Sequence, residues 1–176
     1  MTDEKRIAWA ITGAGHFLVE CAERLYRYEN VDVFLSRAAE EVIRMYRLRE
    51  TIYNGRARVY RETVASAPYA GRFSKGTYRV LVVAPATSNS VAKFVHGISD
   101  TLVTNLFAQA GKSRIPIIVL PTDVAPEMES IDPRGEPIKV YPRPIDLENV
   151  QRLGRFPGVS VVSNPEELEA CLVTFL

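Results

Sequence analysis

Cysteine and histidine are scarce in this chain, and their scarcity limits the chemistry that it can carry out alone. The 176 residues include two cysteines and two histidines. Cys21 and Cys171 lack the spacing of a metal site or of a disulfide framework, and they are too few to hold an iron–sulfur cluster within one chain. We therefore expect no metal centre and a reducing compartment. Any redox role would need an organic cofactor or an outside partner.

Long apolar runs and an excess of either charge are also missing. The formal net charge is +1, so composition favours neither nucleic acid nor an anionic membrane surface as a partner. No apolar run approaches the roughly 20 residues that span a bilayer. The amino-terminal stretch passes directly from charged residues into a strand-like run, unlike a signal peptide. We expect a cytoplasmic protein that binds neither nucleic acid nor membrane.

What the chain does have is an alternation of strand-like and helix-like segments. Short apolar runs rich in β-branched residues are typical of strands buried on both faces of a parallel sheet. The alternation predicts a single α/β domain over residues 1–176, a three-layer doubly wound parallel sheet of the Rossmann or flavodoxin-like type. The predicted strands are Ile7–Ile11, Val31–Leu35, Val80–Ala84, Ile115–Leu120 and Val159–Val162, with a further short strand possible near residues 56–61.

Capping residues predict where the helices begin. Ser36 precedes a helical pattern from about residue 37 to residue 46, and a second pattern begins at Val91. Asp100 and Asp146 are expected to cap the next two helices. Asn164, followed by a proline and two glutamates, predicts the last helix.

Two stretches are expected to lack regular structure. Residues 66–76 carry one proline and two glycines and are predicted to form a loop. Six of the chain's eleven prolines lie between Pro121 and Pro144. This segment is predicted to be a long, stiffened loop, and such loops in compact domains are usually functional or lie at interfaces.

Three strand-to-helix turns are expected to meet at the carboxyl edge of the sheet, where ligands bind in doubly wound folds. They are Thr12–His16, Ser36–Arg37 and Pro85–Asn89. Small residues, hydroxyl groups and helix N-termini together suit a phosphate. Ordinary capped turns explain the same residues.

The first turn matches a dinucleotide-binding fingerprint only in part. Gly13 and Gly15 supply its first two glycines, but Leu18 occupies the position of the third. Ser36 and Arg37 stand where an NAD site carries an acidic residue. That pair suits either the extra phosphate of NADP or the single phosphate of a mononucleotide.

A longer motif resembles a known family. The segment Ala84–Leu102, APATSNSVAKFVHGISDTL, resembles the PAT-x-N-x-x-A-K-x-x-x-G-I-x-D-x-L motif of the homo-oligomeric flavin-containing cysteine decarboxylase superfamily. That superfamily includes phosphopantothenoylcysteine decarboxylases and flavin prenyltransferases. The stretches ITGAGH (11–16) and FLS (34–36) are similar to its first two turns. The resemblance implies an FMN cofactor and a homo-oligomer, at least a trimer, with the flavin near subunit interfaces.

The chain also departs from the decarboxylases of that superfamily. Residues 66–76 contain no histidine where the decarboxylases carry a catalytic one, and residues 121–123 read PTD instead of their PAMN-type motif. Neither cysteine lies in a loop suited to their substrate flap. ITGAGH, SAPYAGRF and LPTD instead resemble the archaeal-flavoprotein branch, which includes dihydromethanopterin reductases of one-carbon metabolism. Cysteine decarboxylation is therefore not expected.

Carried over residue by residue, the resemblance implies a flavin site. The residues implied to hold FMN are Thr12, Gly13, Ala14, Ser36, Arg37, Pro85, Ala86, Thr87, Ser88 and Asn89. Ser36 would bind the phosphate and Arg37 would add charge, although a solvated helix start explains Arg37 equally well. His16 and Asp123 are candidates for binding the substrate. A surface position for His16 and a turn-forming role for Asp123 explain them as well.

Three functions follow from these observations. The first is an FMN-dependent oxidoreductase that passes electrons from NAD(P)H or a ferredoxin-like protein to a small acceptor, dihydromethanopterin above all. The second is a flavin prenyltransferase, in which Arg134, Lys139 and Arg143 would bind an isoprenoid phosphate. The third is an NADP-binding module without catalytic activity. No catalytic acid is identified from the sequence.

Overall fold

The computed structural model describes residues 5–63 and 68–176, and strands and helices alternate along them. The strands are β1 (Arg6–Ile11), β2 (Val31–Leu35), β3 (Arg58–Arg61), β4 (Tyr78–Ala86), β5 (Ile117–Pro121), β6 (Met128–Ile131), β7 (Pro137–Val140) and β8 (Val159–Val161). Six of them form one sheet in the order β3-β2-β1-β4-β5-β8, and each neighbouring pair is parallel. The predicted α/β, doubly wound parallel sheet is confirmed.

Helices cover both faces of this sheet. They are α1 (Leu18–Leu25), α2 (Arg37–Met45), α3 (Arg49–Ile52), α4 (Gly71–Ser74), α5 (Ser88–Val95), α6 (Leu102–Lys112), α7 (Pro144–Leu153) and α8 (Pro165–Val173). Buried side chains of α1, α2, α3 and α8 pack on one face of the sheet, and those of α4, α5, α6 and α7 pack on the other. Trp9 of β1 is fully buried, as expected of a core residue.

None of the helices in the described residues is long and apolar enough to cross a membrane. The cytoplasmic location stays a prediction.

Strand β4 is longer than the sequence predicts, and helix α5 begins earlier. Pro85 does not end the strand, which continues through Ala86. The backbone N–H of Thr12 donates to the carbonyl oxygen of Pro85 at 3.2 Å. The end of β4 therefore remains hydrogen-bonded to the residue that follows β1. The helix begins at Ser88 instead of Val91, because the Thr87 side chain accepts a hydrogen bond from the N–H of Ser90 and caps it.

Two predicted caps have other roles. Thr101 caps α6 through a reciprocal pair of hydrogen bonds with Thr104, whereas Asp100 forms an ion pair with Lys93 at 2.8 Å. Arg143 is the cap residue of α7, and Asp146 lies within the first turn. The Asp146 carboxylate still serves the helix start, because it accepts the backbone N–H of Arg143 at 3.1 Å. The predicted cap of α8 at Asn164 is confirmed.

Both segments that were predicted to be loops contain regular structure. Within 66–76, a short 3-10 helix over Pro68–Ala70 leads directly into α4, while residues 66 and 67 lie outside the described residues. The proline-rich segment contains an antiparallel hairpin formed by β6 and β7. The Asp132 side chain accepts the backbone N–H groups of Arg134 and Glu136 and closes the hairpin turn. The prolines therefore surround a hairpin or, like Pro133 and Pro137, lie within it, instead of stiffening a loop.

Candidate active site

The turn after β1 and the end of β4 are joined by hydrogen bonds to one buried side chain. The Thr12 hydroxyl donates to the carbonyl oxygen of Pro85 and accepts from the backbone N–H of Thr87, both at 2.9 Å. The chain leaving β2 is tied to the same edge, since the N–H of Ser36 donates to the carbonyl oxygen of Ile11 at 3.1 Å. The three predicted turns therefore lie together at the carboxyl edge of the sheet.

Two glycines in the first turn are required by close contacts. A Cβ atom on Gly13 would lie 2.5 Å from the Cβ atom of Ala38 in α2. A Cβ atom on Gly15 would lie 2.3 Å from the hydroxyl oxygen of Tyr46. Because both distances are far below van der Waals contact, a side chain at Gly13 would push α2 away from the turn, and one at Gly15 would displace the Tyr46 ring. Gly13 therefore lets the backbone approach α2, and Gly15 leaves room for the Tyr46 side chain.

Three adjoining cavities follow this edge. The turn cavity, of about 410 Å³, is lined by all three turns, including Gly13, Ser36 and Arg37. The central cavity, of about 380 Å³, shares Thr87 and Asn89 with it and extends to the β6–β7 hairpin. The outer cavity, of about 510 Å³, lies between the start of α1 and the hairpin. Such volumes are typical of small-molecule sites.

The turn cavity is lined by two side chains that suit a bound anion and by one carboxylate that would repel it. The Ser36 hydroxyl accepts the N–H of Ala39 at 3.0 Å, which leaves its own proton available to a ligand. The exposed Arg37 side chain also lines the cavity. Glu62, however, accepts the backbone N–H groups of Arg37 and Leu102 at 2.9 Å and 2.8 Å. The first backbone N–H of α2 and that of α6 therefore already donate to a carboxylate and are not available to a bound anion.

The central cavity contains a hydroxyl–carboxylate pair. The Ser88 hydroxyl donates to the Asp123 carboxylate, which also accepts from the Thr122 hydroxyl at 3.2 Å. The hairpin supplies the opposite wall through side chains of both strands, namely Met128, Ser130, Ile138 and Val140. The cavity thus offers polar groups on the sheet side and a largely apolar surface on the hairpin side.

His16 lies on the boundary between the central and outer cavities. Its ring contacts the Phe17 ring with 3.8 Å between centroids, and Phe17 has a left-handed backbone with φ of 63°. The Nε2 atom is buried without a hydrogen-bond partner among the described residues. Burial lowers the pKa of His16 below its ordinary value of 6.5, against the opposing effect of Glu20 and Asp123. The imidazole is therefore held mainly neutral beside two cavities.

Most of the predicted site residues line these cavities, and two do not. The cavity-lining set consists of Thr12, Gly13, Ala14, His16, Ser36, Arg37, Thr87, Ser88, Asn89 and Asp123. Pro85 and Ala86 are buried within β4 and line none of the three cavities. Their carbonyl oxygens accept hydrogen bonds from Thr12 and Thr122 and so hold the walls together. A direct contact from either residue to a ligand is not favoured by this arrangement.

The structure adds wall residues that the sequence did not identify. Tyr46 of the turn after α2 reaches the hairpin, where its hydroxyl donates to the carbonyl oxygen of Ile131 at 2.7 Å. Glu62 and the hairpin side chains complete the cavities. A signal for the hairpin exists, because Asp132-Pro133-Arg134-Gly135 is a turn sequence between two short runs with strand-like residues. No local pattern marks Tyr46 or Glu62.

No group of three or more His, Cys, Asp or Glu side chains is placed to hold a metal ion in residues 5–63 and 68–176. Cys21 is fully buried in α1 and Cys171 is partly buried in α8, and neither of them lines any of the three cavities. Burial raises the pKa of the Cys21 thiol. Neither cysteine therefore belongs to the candidate active site.

Comparison with known proteins gives consistent matches over nearly the whole chain. The solved structure of Burkholderia xenovorans DmrB in complex with FMN, described as a cubic protein cage for redox transfer, has a TM-score of 0.89 and 40% identity, covering 99% of this chain and 96% of that one. A dihydromethanopterin reductase (acceptor) from Methanosarcina mazei is 31% identical over 232 residues, covering 93% of this chain and 97% of the relative.

A more distant relative represents another activity. The flavin prenyltransferase UbiX of Aquifex aeolicus is 28% identical over 170 residues, covering 92% of this chain and 80% of the relative. The sequence model of the Flavoprotein family matches residues 1–174. The motif in Ala84–Leu102 and the first two turns, which suggested this relationship, fall within that match. The chain belongs to the Flavoprotein family.

Proposed function

We propose that this chain is an FMN-dependent oxidoreductase that reduces a dihydropterin, dihydromethanopterin in the first place, with electrons from a soluble donor. The observation that carries the proposal is the likeness, at a TM-score of 0.89 over 99% of the chain, to a protein solved with FMN and described as a cage for redox transfer. The choice of acceptor is supported by the relative named dihydromethanopterin reductase. When bound, FMN supplies the hydride and electron chemistry.

The turn and central cavities fit a cofactor with a phosphate at one end and a planar ring at the other. We assign the phosphate to the Ser36 hydroxyl and the Arg37 guanidinium. Glu62 already accepts the Arg37 backbone N–H, so that donor is not assigned to the phosphate. Gly13 provides the close backbone approach along the sheet edge. Thr87, Ser88 and Asn89 then extend from the turn cavity into the central one.

We also propose that the protein works as a homo-oligomer, at least a trimer. Large apolar side chains are exposed on the hairpin and at the start of α7, with Ile131 53%, Ile138 44% and Ile145 49% exposed. Exposed apolar residues of this kind favour contact with another copy. Light scattering on the FMN-loaded protein tests this directly. A mass of a trimer or larger is expected, and a monomer at working concentrations would contradict the proposal.

The prenyltransferase alternative is less well supported by the charges. Lys139 forms an ion pair with Glu127, and Arg143 forms one with Asp146, both at 2.8 Å. Neither of them, nor Arg134, lines any of the three cavities. An isoprenoid phosphate would therefore find no available cation from these residues within one chain. The NADP-module alternative is disfavoured by membership of the Flavoprotein family.

The first test is an absorbance spectrum of the purified protein, followed by anaerobic mixing. A flavin band near about 450 nm is expected to bleach with NAD(P)H or a reduced ferredoxin and to recover on addition of dihydromethanopterin. A yellow protein whose reduced band does not recover with the pterin would reject the acceptor and reopen the prenyltransferase alternative. A protein that neither contains nor takes up FMN would reject the proposal.

A further inference from the structure

The outer cavity has apolar walls and an acidic rim. Its apolar lining residues are Phe17, Val19, Ile131, Pro133 and Pro137. Its charged lining residues are Glu20, Glu129 and Asp132, and no lysine or arginine is among the described residues that line it. Flat apolar surfaces suit an aromatic heterocycle, and carboxylates suit a ligand that presents N–H donors.

The charge of this rim bears on which ligand binds here: the electron donor, the acceptor, or the isoprenoid substrate of the prenyltransferase alternative. Nicotinamide cofactors carry a pyrophosphate, and isoprenoid substrates carry a phosphate or diphosphate. Anionic groups near three carboxylates would experience repulsion, since like charges at short range disfavour binding. A pterin ring is neutral and presents N–H donors, so the ring suits the walls and the rim when the anionic side chain of dihydromethanopterin is directed away from them. The outer cavity therefore favours the acceptor over the electron donor.

The outer cavity also adjoins the place assigned to the flavin. Gly15, His16, Tyr46 and Ser130 line both the outer and the central cavity. The buried Nε2 atom of His16, which has no hydrogen-bond partner among the described residues, lies at this boundary. A ligand in the outer cavity would thus lie next to the contents of the central cavity. An unsatisfied buried ring nitrogen there calls for a partner that the described chain does not supply.

We infer that the outer cavity is the acceptor subsite and that the Glu20 carboxylate binds the amino-oxo edge of the pterin ring. This inference rests on the proposed function. The edge of a pterin presents a ring N–H and an exocyclic amino group side by side, and one carboxylate accepts from both in a bidentate pair. The compound class is an aminooxopteridine whose ring stacks between the apolar walls.

Glu20 is assigned ahead of the other two carboxylates. Asp132 is engaged, because it accepts the backbone N–H groups that close the hairpin turn. The carboxylates of Glu20 and Glu129 have no hydrogen bond or ion pair to another residue in the described part of the chain. Glu20 lies on helix α1, next to both boundary side chains. Burial raises the pKa of Tyr46, and the charges of Asp132 and then Glu20 add to that effect. Burial lowers the pKa of His16, and Glu20 is the first of the charges that oppose it.

The test compares two pteridines on the FMN-loaded protein by isothermal titration calorimetry. Pterin carries the amino group, whereas lumazine, its dioxo analogue, presents a carbonyl oxygen at that position. The wild-type protein is expected to bind pterin more tightly than lumazine. Glu20→Gln should weaken pterin binding by about ten-fold and narrow the difference between the two ligands, because a charged hydrogen bond is lost and an amide can donate to the carbonyl.

Glu23→Gln is the matched control, since Glu23 lies on the same helix, is exposed and does not line the cavity. It should leave both affinities unchanged. If Glu20→Gln binds pterin like the wild type while retaining FMN, or if Glu129→Gln produces the loss instead, the assignment to Glu20 is overturned and the reductase proposal stands. If the yellow wild-type protein binds no pterin at all, the subsite and the proposed acceptor are both overturned.

Discussion

At the turn cavity the protein's polar groups pair with one another, whereas at the outer cavity several of them do not. The Thr12 hydroxyl makes two hydrogen bonds of 2.9 Å, and the Ser36 and Thr87 side chains each cap a helix. Across the edge, His16 Nε2 is buried without a partner in the described residues, and Ile131 is 53% exposed.

In the first region, hydrogen bonds within one chain pair the polar groups that shape the cavity. In the second region, polar groups and apolar surface have no partner in the described chain and can be covered by a ligand or by another copy. Self-satisfied groups hold the turn cavity in one shape, so a cofactor binds there with little ordering of the protein. Unpaired polar groups and exposed apolar surface have no internal contacts to give up when a ligand or another copy covers them, which favours binding at the outer cavity. Substitutions in the first region should therefore damage both fold and cofactor binding, and those in the second should change mainly ligand binding and local order.

Gly13→Ala is expected to have the largest effect. The added methyl group would lie 2.5 Å from the Cβ atom of Ala38, so the turn and α2 must separate. We expect the free energy of unfolding to fall by about 1–3 kcal/mol and the FMN affinity to fall by roughly ten- to hundred-fold. Denaturant unfolding and FMN titration of the apoprotein measure the two effects. Gly111→Ala is the control, because nothing lies within 4 Å of the added atom and it should not weaken FMN binding.

Thr12→Val tests the same region with a change of chemistry instead of volume. Valine keeps the shape but removes the hydroxyl, which leaves the Thr87 N–H without its acceptor and removes a donor to Pro85. The free energy of unfolding should fall by about 1–2 kcal/mol, with a smaller loss of FMN affinity than for Gly13→Ala. Thr174→Val, at the exposed residue that follows the last helix, loses only a solvent-exposed hydrogen bond to Cys171 and should leave FMN affinity unchanged. Full FMN affinity in Thr12→Val would show that this hydroxyl does not shape the turn cavity.

The sequence predicted the self-satisfied region better than the other one. The contacts around Thr12 and Ser36 arise from turns that directly follow buried strands, and the sheet topology alone brings those turns together. The alternation of strand-like and helix-like segments indicated the fold, and the motif beginning at Ala84 indicated the cofactor class. The end of the strand within this motif was predicted wrongly, because Pro85 was expected to end β4 and the strand continues to Ala86.

The outer region was harder to predict because distant segments build it. Tyr46 follows α2, yet its hydroxyl donates to the carbonyl of Ile131, 85 positions further along the chain. The turn cavity has one contact of the same kind, because Glu62 bridges the starts of two helices that are far apart in sequence. Neither contact leaves a local pattern. The prolines around the hairpin suggested a loop, although Gly135 and the preceding turn residues are also typical of a hairpin.

The pH dependence of stability distinguishes His16 from the chain's other histidine. Burial lowers the pKa of His16 from its ordinary value of 6.5, so the unfolded chain takes up a proton before the folded chain as the pH falls. Stability should therefore decrease as the pH falls through the ordinary value, down to the lowered one. Denaturant unfolding of the wild type and His16→Gln between about pH 8 and pH 5 measures this. The variant should lose less stability over that range.

His96→Gln is the control for this experiment, because His96 is exposed at the end of α5 and lines none of the three cavities. It should follow the wild-type profile. Identical profiles for the wild type and His16→Gln would show that the folded chain does not hold His16 in the neutral form. That outcome would also weaken the contrast between the two regions, since the unsatisfied ring nitrogen is one of its main observations.

Tyr46→Phe is expected to have the smallest global effect and a local one. It removes the hydroxyl that donates to the Ile131 carbonyl at 2.7 Å, so the hydrogen bond between the residue after α2 and the hairpin is lost. The free energy of unfolding should change by less than about 1 kcal/mol, because the bond is exposed to water. Hydrogen exchange of the β6–β7 amides should become faster, while exchange in β1 and β4 stays the same. Tyr141→Phe, at a side chain that is 65% exposed, should change neither. Equal acceleration in β1 would mean that the hairpin is part of the cooperative core instead of a separately stabilised wall.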